Sequence, residues 1–406
     1  MTRPRLLVVS PRFLFPMDQG GKIRTANILK RMKDGAFELV LASPAPPNVA
    51  RYAVDVATVC DRFVSWPEPK PSQFRRVRAL LDSIPVAAAT DRSAAGRRVI
   101  SALLAEKPEV ALVDFPHAAV LLPERIDSAS VIFTHNVEAE IFARHAEVAR
   151  GPMRPVWRDQ ARKMRAFEGA ALRRFDSVIA VSARDAKALA ELYGLKRLET
   201  IDTGVDLEFY AFQPAEAAPD TGPKGGTIVF TGAMDWRANI DGIAFLMDEV
   251  WPLVLAVRPE ARALVVGRNP PEDLVGRARA LGFAWRFTGF VDDIRPYVAE
   301  ANVYVIPLRV GSGTRIKAFE AMAMGRPVVS TTVGVEGLDV THEHHYLAAD
   351  TAADFAAAIL RLLDEPARRE QLARAARARV EERFSWSHVA RQFEAICLRA
   401  LELHKA

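Results

Sequence analysis

Short apolar runs alternate with longer helical patterns along the chain, and this alternation restricts the possible folds more than any other feature. Strands separated by helices are typical of parallel sheets that carry helices on both faces, so we predict an α/β fold. The predicted strands are residues 5–10, 38–42, 109–114, 130–134 and 177–181, then 227–231, 263–266, 285–288, 303–307 and 328–331. The predicted helices of the first half are residues 22–32, 93–106, 156–174 and 183–193.

The length of 406 residues exceeds what one ordinary hydrophobic core needs, which favours two domains. Prolines and glycines cluster at residues 212–226, so we place the interdomain region around residues 204–226. Two Rossmann-like domains joined there would face each other across a cleft at the carboxyl ends of both sheets. The predicted domains are residues 1–205 and 206–384. A last helix within residues 385–406 has a helical apolar stripe and should pack in a core.

The charge and cysteine content indicate the compartment and the partners. A net charge of +5 favours acidic partners, such as sugar nucleotides or anionic lipid head groups. We expect no nucleic-acid binding, because acids are interspersed among the arginines of residues 367–383. Cys60 and Cys397 suit a reducing compartment without disulfides. Pro11 and Arg12 interrupt the N-terminal apolar run, and no membrane span is evident, so we expect a cytoplasmic protein, either free or peripheral at the membrane.

Residues 307–332 combine a strand end, a glycine-rich turn and a basic helix start. Free backbone N–H groups and the helix dipole at such a turn favour a phosphate. Cations at the start of the helix would offset the charge of a departing diphosphate, and a carboxylate behind them can accept hydrogen bonds from ribose hydroxyls. The alternatives are an ordinary turn, with the carboxylate solvated or paired to the lysine three positions earlier. The predicted donor site comprises Gly311, Ser312, Gly313, Thr314, Arg315, Lys317 and Glu320.

A second glycine pair, Gly20 and Gly21, follows the first predicted strand and precedes Lys22. Adjacent glycines allow another molecule to approach the backbone, so this loop is predicted to face the acceptor and the diphosphate. A simple helix entry explains the pair equally well. No Gly-x-Gly-x-x-Gly follows the strand, which argues against a nicotinamide or flavin dehydrogenase.

His135 directly follows the predicted strand 130–134. Clefts form at carboxyl ends of parallel strands, so this histidine is a candidate for catalysis or substrate positioning; a structural role is the alternative. His342, His344 and His345 do not have zinc-motif spacing, and no Asp-x-Asp pair occurs. We therefore expect neither a metal nor another cofactor.

Residues 74–84 place apolar side chains on one helical face and three arginines toward the others. This pattern is compatible with a helix that lies on an anionic lipid surface. A surface helix that buries its apolar stripe in the protein core is the interpretation that the pattern favours.

The chain resembles the retaining glycosyltransferases of family 4, which have the GT-B fold, along nearly its whole length. The family-like stretches are FTGAMDWRANIDGI (230–243), VVGRNP (265–270), FTGFVDDIRPYVAEANVYVIPL (287–308) and GSGTRIKAFEAMAMGRPVVST (311–331). HNVE (135–138), Phe167-Glu168 and DTGVD (202–206) are similar to the bacterial exopolysaccharide branch associated with PEP-CTERM sorting.

The resemblance implies a nucleotide sugar bound by the second domain, an acceptor bound by the first, no metal, and retention at the anomeric carbon. It implies that Glu320 binds the ribose and that the turn 311–313 contacts the diphosphate and sugar. It also implies that His135 lies near the centre at which the sugar is transferred. It also implies that the C-terminal helix returns to the first domain.

The sequence departs from the family pattern at charged positions. Ser312 stands where members commonly have a glutamate, and Ala233 and Ala238 stand where they commonly have an arginine and a lysine. Arg237 and Arg268, together with the cations of the donor motif, are our candidates to supply the missing charge.

We therefore predict a metal-independent, retaining hexosyltransferase. It would move a sugar from a nucleotide-diphosphate donor to a lipid-linked or growing saccharide acceptor in exopolysaccharide or cell-surface glycan synthesis. Its partners would be the nucleotide sugar, the acceptor and the inner face of an anionic membrane. The alternatives are a sugar-nucleotide epimerase of GT-B fold and a non-catalytic nucleotide-sugar-binding protein.

Overall fold

A computed structural model describes residues 3–69, 72–214, 225–310 and 315–405. The chain forms two compact units, which are Met1–Thr203 with Trp386–Ala406 (unit 1) and Gly204–Ser385 (unit 2). These division points are adjacent to the predicted domain limits. Unit 2 begins before the proline and glycine cluster, because Val205 already pairs with that unit by donating its N–H to the Phe384 carbonyl at 2.7 Å. Residues 215–224 of that cluster lie outside the described residues.

Unit 1 is built on a parallel sheet. In its described part the strand order is β3-β2-β1-β4-β5-β6-β7, and every neighbouring pair is parallel. Branched aliphatic residues dominate the central strands, which are buried on both faces as expected for a sheet covered by helices. The strands are β1 (Arg5–Val9), β2 (Glu38–Ala45), β3 (Arg62–Pro67), β4 (Val110–Asp114), β5 (Ala129–Phe133), β6 (Ser177–Ala180) and β7 (Leu198–Thr200).

Helices cover both faces of this sheet. The helices of unit 1 are α1 (Gly20–Met32), α2 (Ala53–Ala57), α3 (Gln73–Ala79), α4 (Val86–Asp91), α5 (Ala94–Ala105), α6 (Glu138–Val148), α7 (Met153–Leu172), α8 (Ala183–Tyr193) and the C-terminal α16 (Trp386–Lys405). Short 3-10 helices occupy Val49–Tyr52 and Pro116–Leu121. Helix α16 belongs to unit 1 as predicted: Phe393 packs edge-on against Phe133 of β5 at 5.1 Å, and the Glu394 carboxylate accepts the Ala36 N–H at 2.7 Å.

Unit 2 contains a second parallel sheet, with the order β10-β9-β8-β11-β12-β13 in its described part. Its strands are β8 (Thr227–Thr231), β9 (Arg262–Val266), β10 (Trp285–Phe287), β11 (Val303–Ile306), β12 (Val328–Ser330) and β13 (Leu347–Ala348). Its helices are α9 (Arg237–Phe245), α10 (Trp251–Val257), α11 (Glu272–Ala280), α12 (Arg295–Ala299), α13 (Ile316–Ala323), α14 (Ala352–Asp364) and α15 (Pro366–Arg383), with a π-helix at Leu246–Val250 and a 3-10 helix at Val333–Val335.

Both sheets reverse their strand order beside the first strand, between β1 and β4 in unit 1 and between β8 and β11 in unit 2. Ligands of doubly wound folds bind at the carboxyl ends of the strands at such a reversal. The loops after these four strands are therefore where the functional side chains of each unit are expected.

The predicted α/β class with two Rossmann-like domains is confirmed, and each predicted strand is present with small shifts at its ends. Three strands were missed, namely β3, β7 and β13. β3 and β7 consist mostly of exposed and half-buried positions, and β13 has two residues, so none presents the continuous apolar run that marks a buried strand. No helix in the described ranges is long and apolar enough to cross a bilayer.

Candidate functional site

Helix α13 starts beyond the carboxyl end of β11 and carries the predicted ribose-binding carboxylate. The Glu320 Oε1 atom accepts a hydrogen bond from the Tyr210 hydroxyl at 2.9 Å. Burial raises the pKa of Glu320, while this hydrogen bond and the nearby Lys317 charge oppose the rise. The carboxylate is thus held in a partly dry position, where it can accept hydrogen bonds from a bound polyol. Gly325 ends the helical segment as predicted, with a φ of 73°.

Tyr210 is presented to α13 by a turn that begins at Asp206. One Asp206 side-chain oxygen accepts the N–H groups of Glu208 and Phe209, each at 3.1 Å. The Tyr210 N–H donates to the Asp206 carbonyl at 2.8 Å, and Arg377 donates to the Tyr210 carbonyl at 3.0 Å. Sequence reasoning missed Tyr210; the available signal was the stretch DTGVD, whose aspartate is a typical start of such a turn.

Lys317 lies one turn before Glu320 but binds a different partner. Its Nζ donates to the Asn239 side-chain oxygen at 2.9 Å and lies 4.3 Å from the centroid of the Phe230 ring. Asn239 in turn donates to the Ala233 carbonyl at 2.7 Å. Burial lowers the pKa of Lys317 to about 7; the Glu320 charge opposes this shift and the Arg315 charge adds to it. Lys317 is thus a partly desolvated cation at the strand-order reversal between β8 and β11.

Gly232, directly after β8, leaves the space that this lysine occupies. A Cβ atom at Gly232 would lie 2.7 Å from Asn239 Nδ2 and 2.9 Å from Lys317 Nζ, closer than real contacts allow. We therefore expect Gly232→Ala to displace both side chains and to weaken binding of UDP or GDP about tenfold in calorimetry.

The control for this change is Gly276→Ala in α11, where a Cβ atom meets nothing within 4 Å. Alanine at that helical position should raise the free energy of unfolding by about 0.5–1 kcal/mol and leave nucleotide affinity unchanged. Equal nucleotide affinities of Gly232→Ala and Gly276→Ala would show that the position of Lys317 and Asn239 does not affect nucleotide binding.

The other predicted donor residues lie in different surroundings. The Arg315 side chain is 3% exposed, its Nε donates to the Val333 carbonyl at 3.1 Å, and its Nη2 lies 3.8 Å from Glu336. Burial lowers the pKa of Arg315. The glycine-rich turn Gly311, Ser312, Gly313 and Thr314 lies outside the described residues.

Arg237 and Arg268 follow β8 and β9, at the same edge of the sheet as Lys317. Arg237 is the first residue of α9 and is exposed, and Arg268 is exposed with its Nε 3.2 Å from Asp235. Neither side chain is locked inside the core, so both are accessible to an anion. Contact of either arginine with a donor stays a prediction.

His135 belongs to a buried polar cluster at the carboxyl edge of the unit 1 sheet. Its Nε2 lies 2.7 Å from Asp114 Oδ1, and its Nδ1 lies 3.2 Å from an Arg24 guanidinium nitrogen. Because a guanidinium only donates, Nδ1 must accept, so the proton is on Nε2 and is donated to Asp114. Thr25 and Ser10 donate to the same carboxylate at 3.0 Å each.

Burial also controls the charge of this imidazole. His135 is 4% exposed and stacks on the Phe115 ring with centroids 3.9 Å apart. Burial lowers the pKa of His135, while Asp114 opposes that shift. The ring is therefore neutral near pH 7, with one tautomer and both nitrogens engaged. The hydrogen bonds of His135 with Asp114 and Arg24 hold the strand ends of unit 1 in position. A catalytic role of His135 stays a prediction.

The glycine pair begins helix α1 and does not form a loop before it. Gly20 and Gly21 are its first two residues, and the Lys22 ammonium donates to Asp18 at 3.0 Å. A Cβ atom at Gly21 would lie 2.4 Å from the Phe115 ring, whereas one at Gly20 would meet nothing within 4 Å. The second glycine thus lets the ring that covers His135 approach the helix.

This difference predicts unequal effects of two neighbouring substitutions. Gly21→Ala should lower the free energy of unfolding by about 1–2 kcal/mol, because the stacked Phe115 ring must move. Gly20→Ala should stay within about 0.5 kcal/mol of the unchanged protein. Urea unfolding of both variants measures the difference, and equal losses would contradict the packing argument.

A cavity of about 500 Å³ opens at the carboxyl ends of β1, β2 and β3. Its walls combine aromatic rings and prolines with four cationic side chains and two carboxyl groups. Burial raises the pKa of one of these carboxyl groups, Asp91, to about 6, and the Arg12 charge opposes that shift. The charged lining residues are Arg12, Lys22, Arg51, Arg76, Glu68 and Asp91, and the aromatic ones are Phe13, Phe15 and Tyr52. Of these, sequence reasoning had selected Lys22 alone as a site residue.

Two histidines of the segment THEHHY, His342 and His345, stabilise a loop. His342 Nδ1 accepts the Ala348 N–H at 2.8 Å, and His345 Nδ1 accepts the Thr341 N–H at 2.9 Å. Each of these nitrogens is therefore used to hold the backbone of residues 341–348.

Two family models match the chain, one almost entirely in unit 1 and the other within unit 2. The model described as "Glycosyltransferase Family 4" matches residues 19–209, and the model described as "Glycosyl transferases group 1" matches residues 225–365. The first spans most of the sheet of unit 1, and the second contains Lys317, its partner Asn239 and Glu320.

Curated relatives include two enzymes of Mycobacterium tuberculosis. The chain is 29% identical to glycogen synthase over 284 residues, which are 68% of this chain and 64% of that protein. It is 32% identical to phosphatidyl-myo-inositol mannosyltransferase over 223 residues, 53% of this chain and 57% of that protein. The matches thus span somewhat less than two thirds of these relatives.

Solved structures share the fold over nearly the whole chain. Sucrose-phosphate synthase from Thermosynechococcus elongatus superposes with a TM-score of 0.66 and 18% identity, covering 98% of this chain and 100% of that one. Anabaena HepE in complex with UDP and glucose superposes with a TM-score of 0.62 and 15% identity, covering 97% and 99% of the two chains. At these identities the likeness concerns the fold.

Proposed function

We propose that this chain, a GT-B protein of the glycosyltransferase family 4 type, transfers a sugar from a nucleotide-diphosphate donor to an acceptor hydroxyl. The observation that carries the proposal is the pair of side chains on α13. Lys317 and Glu320 are both partly desolvated, lie where doubly wound sheets bind ligands, and are held by separate neutral partners.

The donor would use these two groups in different ways. Glu320 would accept hydrogen bonds from the ribose hydroxyls, with Tyr210 keeping the carboxylate in place. Lys317 would bind the diphosphate. The negative charge of the diphosphate would favour the protonated ammonium form, which burial disfavours. Arg237, Arg268 and Arg315 would neutralise the negative charge of the donor that Lys317 leaves uncompensated. Gly311–Thr314 would make backbone contacts with the diphosphate and sugar.

The acceptor would occupy the cavity of unit 1. Four cationic side chains suit a phosphorylated acceptor, and the aromatic and proline walls suit its apolar or sugar portion. Lys22 contributes to this lining, so the N-terminal end of α1, which begins at Gly20 and Gly21, would face the acceptor. His135 would hold the strand ends near the transferring centre through Asp114 and Arg24.

In the proposed reaction the bond between the anomeric carbon and the diphosphate oxygen breaks, and its electron pair goes to the diphosphate. The acceptor oxygen bonds to the same face of the anomeric carbon, so the configuration is retained. Its proton passes to a diphosphate oxygen. The contribution of the protein is positioning and electrostatic stabilisation of the leaving group by Lys317, without a metal ion.

We place this reaction in exopolysaccharide or cell-surface glycan synthesis, with a lipid-linked or growing saccharide acceptor. Support comes from the similarity of HNVE and DTGVD to the exopolysaccharide branch and from a relative whose name specifies a lipid acceptor, phosphatidyl-myo-inositol. A lipid-linked acceptor would place the protein at the cytoplasmic face of a membrane.

Mass spectrometry of the products tests the function. The purified protein is given a panel of nucleotide sugars with membrane lipid extract, and a product heavier than the acceptor by one sugar is expected. A changed sugar nucleotide formed without acceptor would instead indicate the epimerase. Calorimetric binding of UDP or GDP with no product from any donor would indicate the non-catalytic binding protein.

A further inference from the structure

Helix α3 leaves its apolar side chains uncovered. Phe74 is 78% exposed, Val77 is 62% exposed, and Leu81, one turn beyond, is 89% exposed. The sequence favoured burial of this stripe in the protein core, and that expectation is wrong: no residue of α3 is buried. Of the five side chains of the predicted apolar stripe, Leu80 and Ile84 are half-buried, and the other three are exposed.

The neighbouring helices hold the segment in this orientation. Lys163 of α7 donates to the Leu80 carbonyl at 2.7 Å, and Gln160 of α7 accepts the Val86 N–H at 2.8 Å. Ser72 caps α3 by accepting the Arg75 N–H at 3.2 Å. The exposed apolar face is thus part of an anchored segment, which argues against a stripe that folds back into the core.

Positive charge surrounds the apolar face. Arg75, Arg76 and Arg78 are all exposed and alternate with the apolar residues, while the nearest acid along the segment, Asp82, pairs with Arg92 at 2.5 Å. A second copy of the chain is a poor occupant, because a two-fold interface would bring these arginines against their own counterparts. Anionic lipid complements both properties, since its phosphates attract arginine and its acyl boundary accepts apolar side chains.

We propose that this α3 surface, consisting of Phe74, Val77 and Leu81 with the three arginines, docks the protein onto an anionic lipid membrane. The inference identifies a surface for the peripheral location proposed above, and it does not depend on sugar transfer. Arg76 lines the unit 1 cavity as well. A docked α3 would therefore bring the cavity to the head groups, where a lipid-linked acceptor presents its phosphates.

Vesicle flotation with the full chain tests the surface. Vesicles of phosphatidylcholine containing phosphatidylglycerol should carry the protein upward, and vesicles of phosphatidylcholine alone should carry much less. The apolar variant Phe74→Ser with Leu81→Ser should lower the partition about tenfold or more. The charge variant Arg75→Gln with Arg78→Gln should lower it about fivefold for each arginine.

The matched control is Phe290→Ser in unit 2, which removes a phenylalanine of similar exposure, 73%, and should not change the partition. Far-UV circular dichroism and calorimetric nucleotide affinity should be unaltered in all variants, which separates loss of docking from loss of fold or of donor binding. Unchanged partition in the apolar variant would overturn the proposal, as would equal binding to both vesicle types. Conversion of a wild-type dimer to a monomer by that variant would also overturn it, in favour of a second copy.

Discussion

Replacing Lys317 with methionine is expected to lower the rate of sugar transfer about 100- to 1,000-fold, the usual effect of removing one preorganised group that stabilises developing charge. The Lys317 ammonium is already positioned by Asn239 at 2.9 Å and by the Phe230 ring, so it needs no reorganisation when the diphosphate leaves. Methionine keeps the length and the apolar contact without the charge. The measurement is kcat with saturating donor and acceptor.

The control for this substitution is Lys187→Met in unit 1, where the side chain is 77% exposed and its ammonium lies 3.9 Å from Glu191. That change removes the same charge from the protein and should leave kcat unchanged. A Lys317→Met variant with full activity would exclude this lysine from leaving-group stabilisation.

The same lysine should make nucleotide binding depend on pH. Its pKa in the folded protein is about 7, below its ordinary value of 10.5. Above pH 7 the free protein has lost the proton, and a bound diphosphate favours its return, so binding takes up a proton. Affinity for a nucleotide sugar should therefore fall as pH rises above 7, by at most about tenfold per pH unit. Calorimetry in buffers of different ionisation enthalpy measures the proton uptake, which Lys317→Met should abolish.

The effect on stability has the opposite sign. Between the lowered pKa and 10.5 the unfolded chain binds this proton and the folded protein does not, so the contribution of Lys317 to the free energy of unfolding rises with pH. At pH 7 and below, the contribution is at its minimum, because the folded protein must hold a desolvated cation. A pH dependence identical in Lys317→Met would contradict this assignment.

Glu320→Gln is expected to weaken binding of UDP or GDP by about 1–3 kcal/mol, the range for a lost hydrogen bond to a charged group. This corresponds to about a 5- to 150-fold rise in Kd. The glutamine keeps the size of the side chain but has one acceptor oxygen in place of two, beside the Tyr210 hydroxyl that already occupies one of them. Isothermal calorimetry measures the change.

Deoxyribose nucleotides make this test specific for the sugar contact. The unchanged protein should bind a 2′-deoxynucleoside diphosphate more weakly than the ribonucleotide, and Glu320→Gln should remove most of that difference. Equal losses for both nucleotides would mean that Glu320 acts elsewhere. The control is Glu300→Gln, because Glu300 is an exposed carboxylate paired with Arg286 at 2.9 Å, and its loss should not alter either affinity.

In the candidate sites, local sequence patterns predicted individual residues but not the distant residues that contact them. Glu320 and Lys317 were predicted because a strand, a turn and a basic helix start lie within one short stretch of sequence. Their actual partners, Tyr210 and Asn239, lie 110 and 78 positions away. Likewise, the position of His135 directly after a strand predicted that it lies at the edge of the sheet. Its hydrogen bonds with Asp114 and Arg24 depend on two other segments of the chain.

The return of the last helix to the first unit was implied by the family resemblance. The sequence by itself determined the α/β class, the two units and the segment that carries Lys317 and Glu320. These follow from periodicity, breakers and neighbouring residue types, which are local properties of the chain. Only the tertiary structure decided that Lys317 is desolvated, that His135 is a neutral single tautomer and that the α3 surface is exposed. Burial and long-range hydrogen bonds depend on which distant segments pack together, and helical spacing alone cannot say whether an apolar stripe meets a core or the solvent.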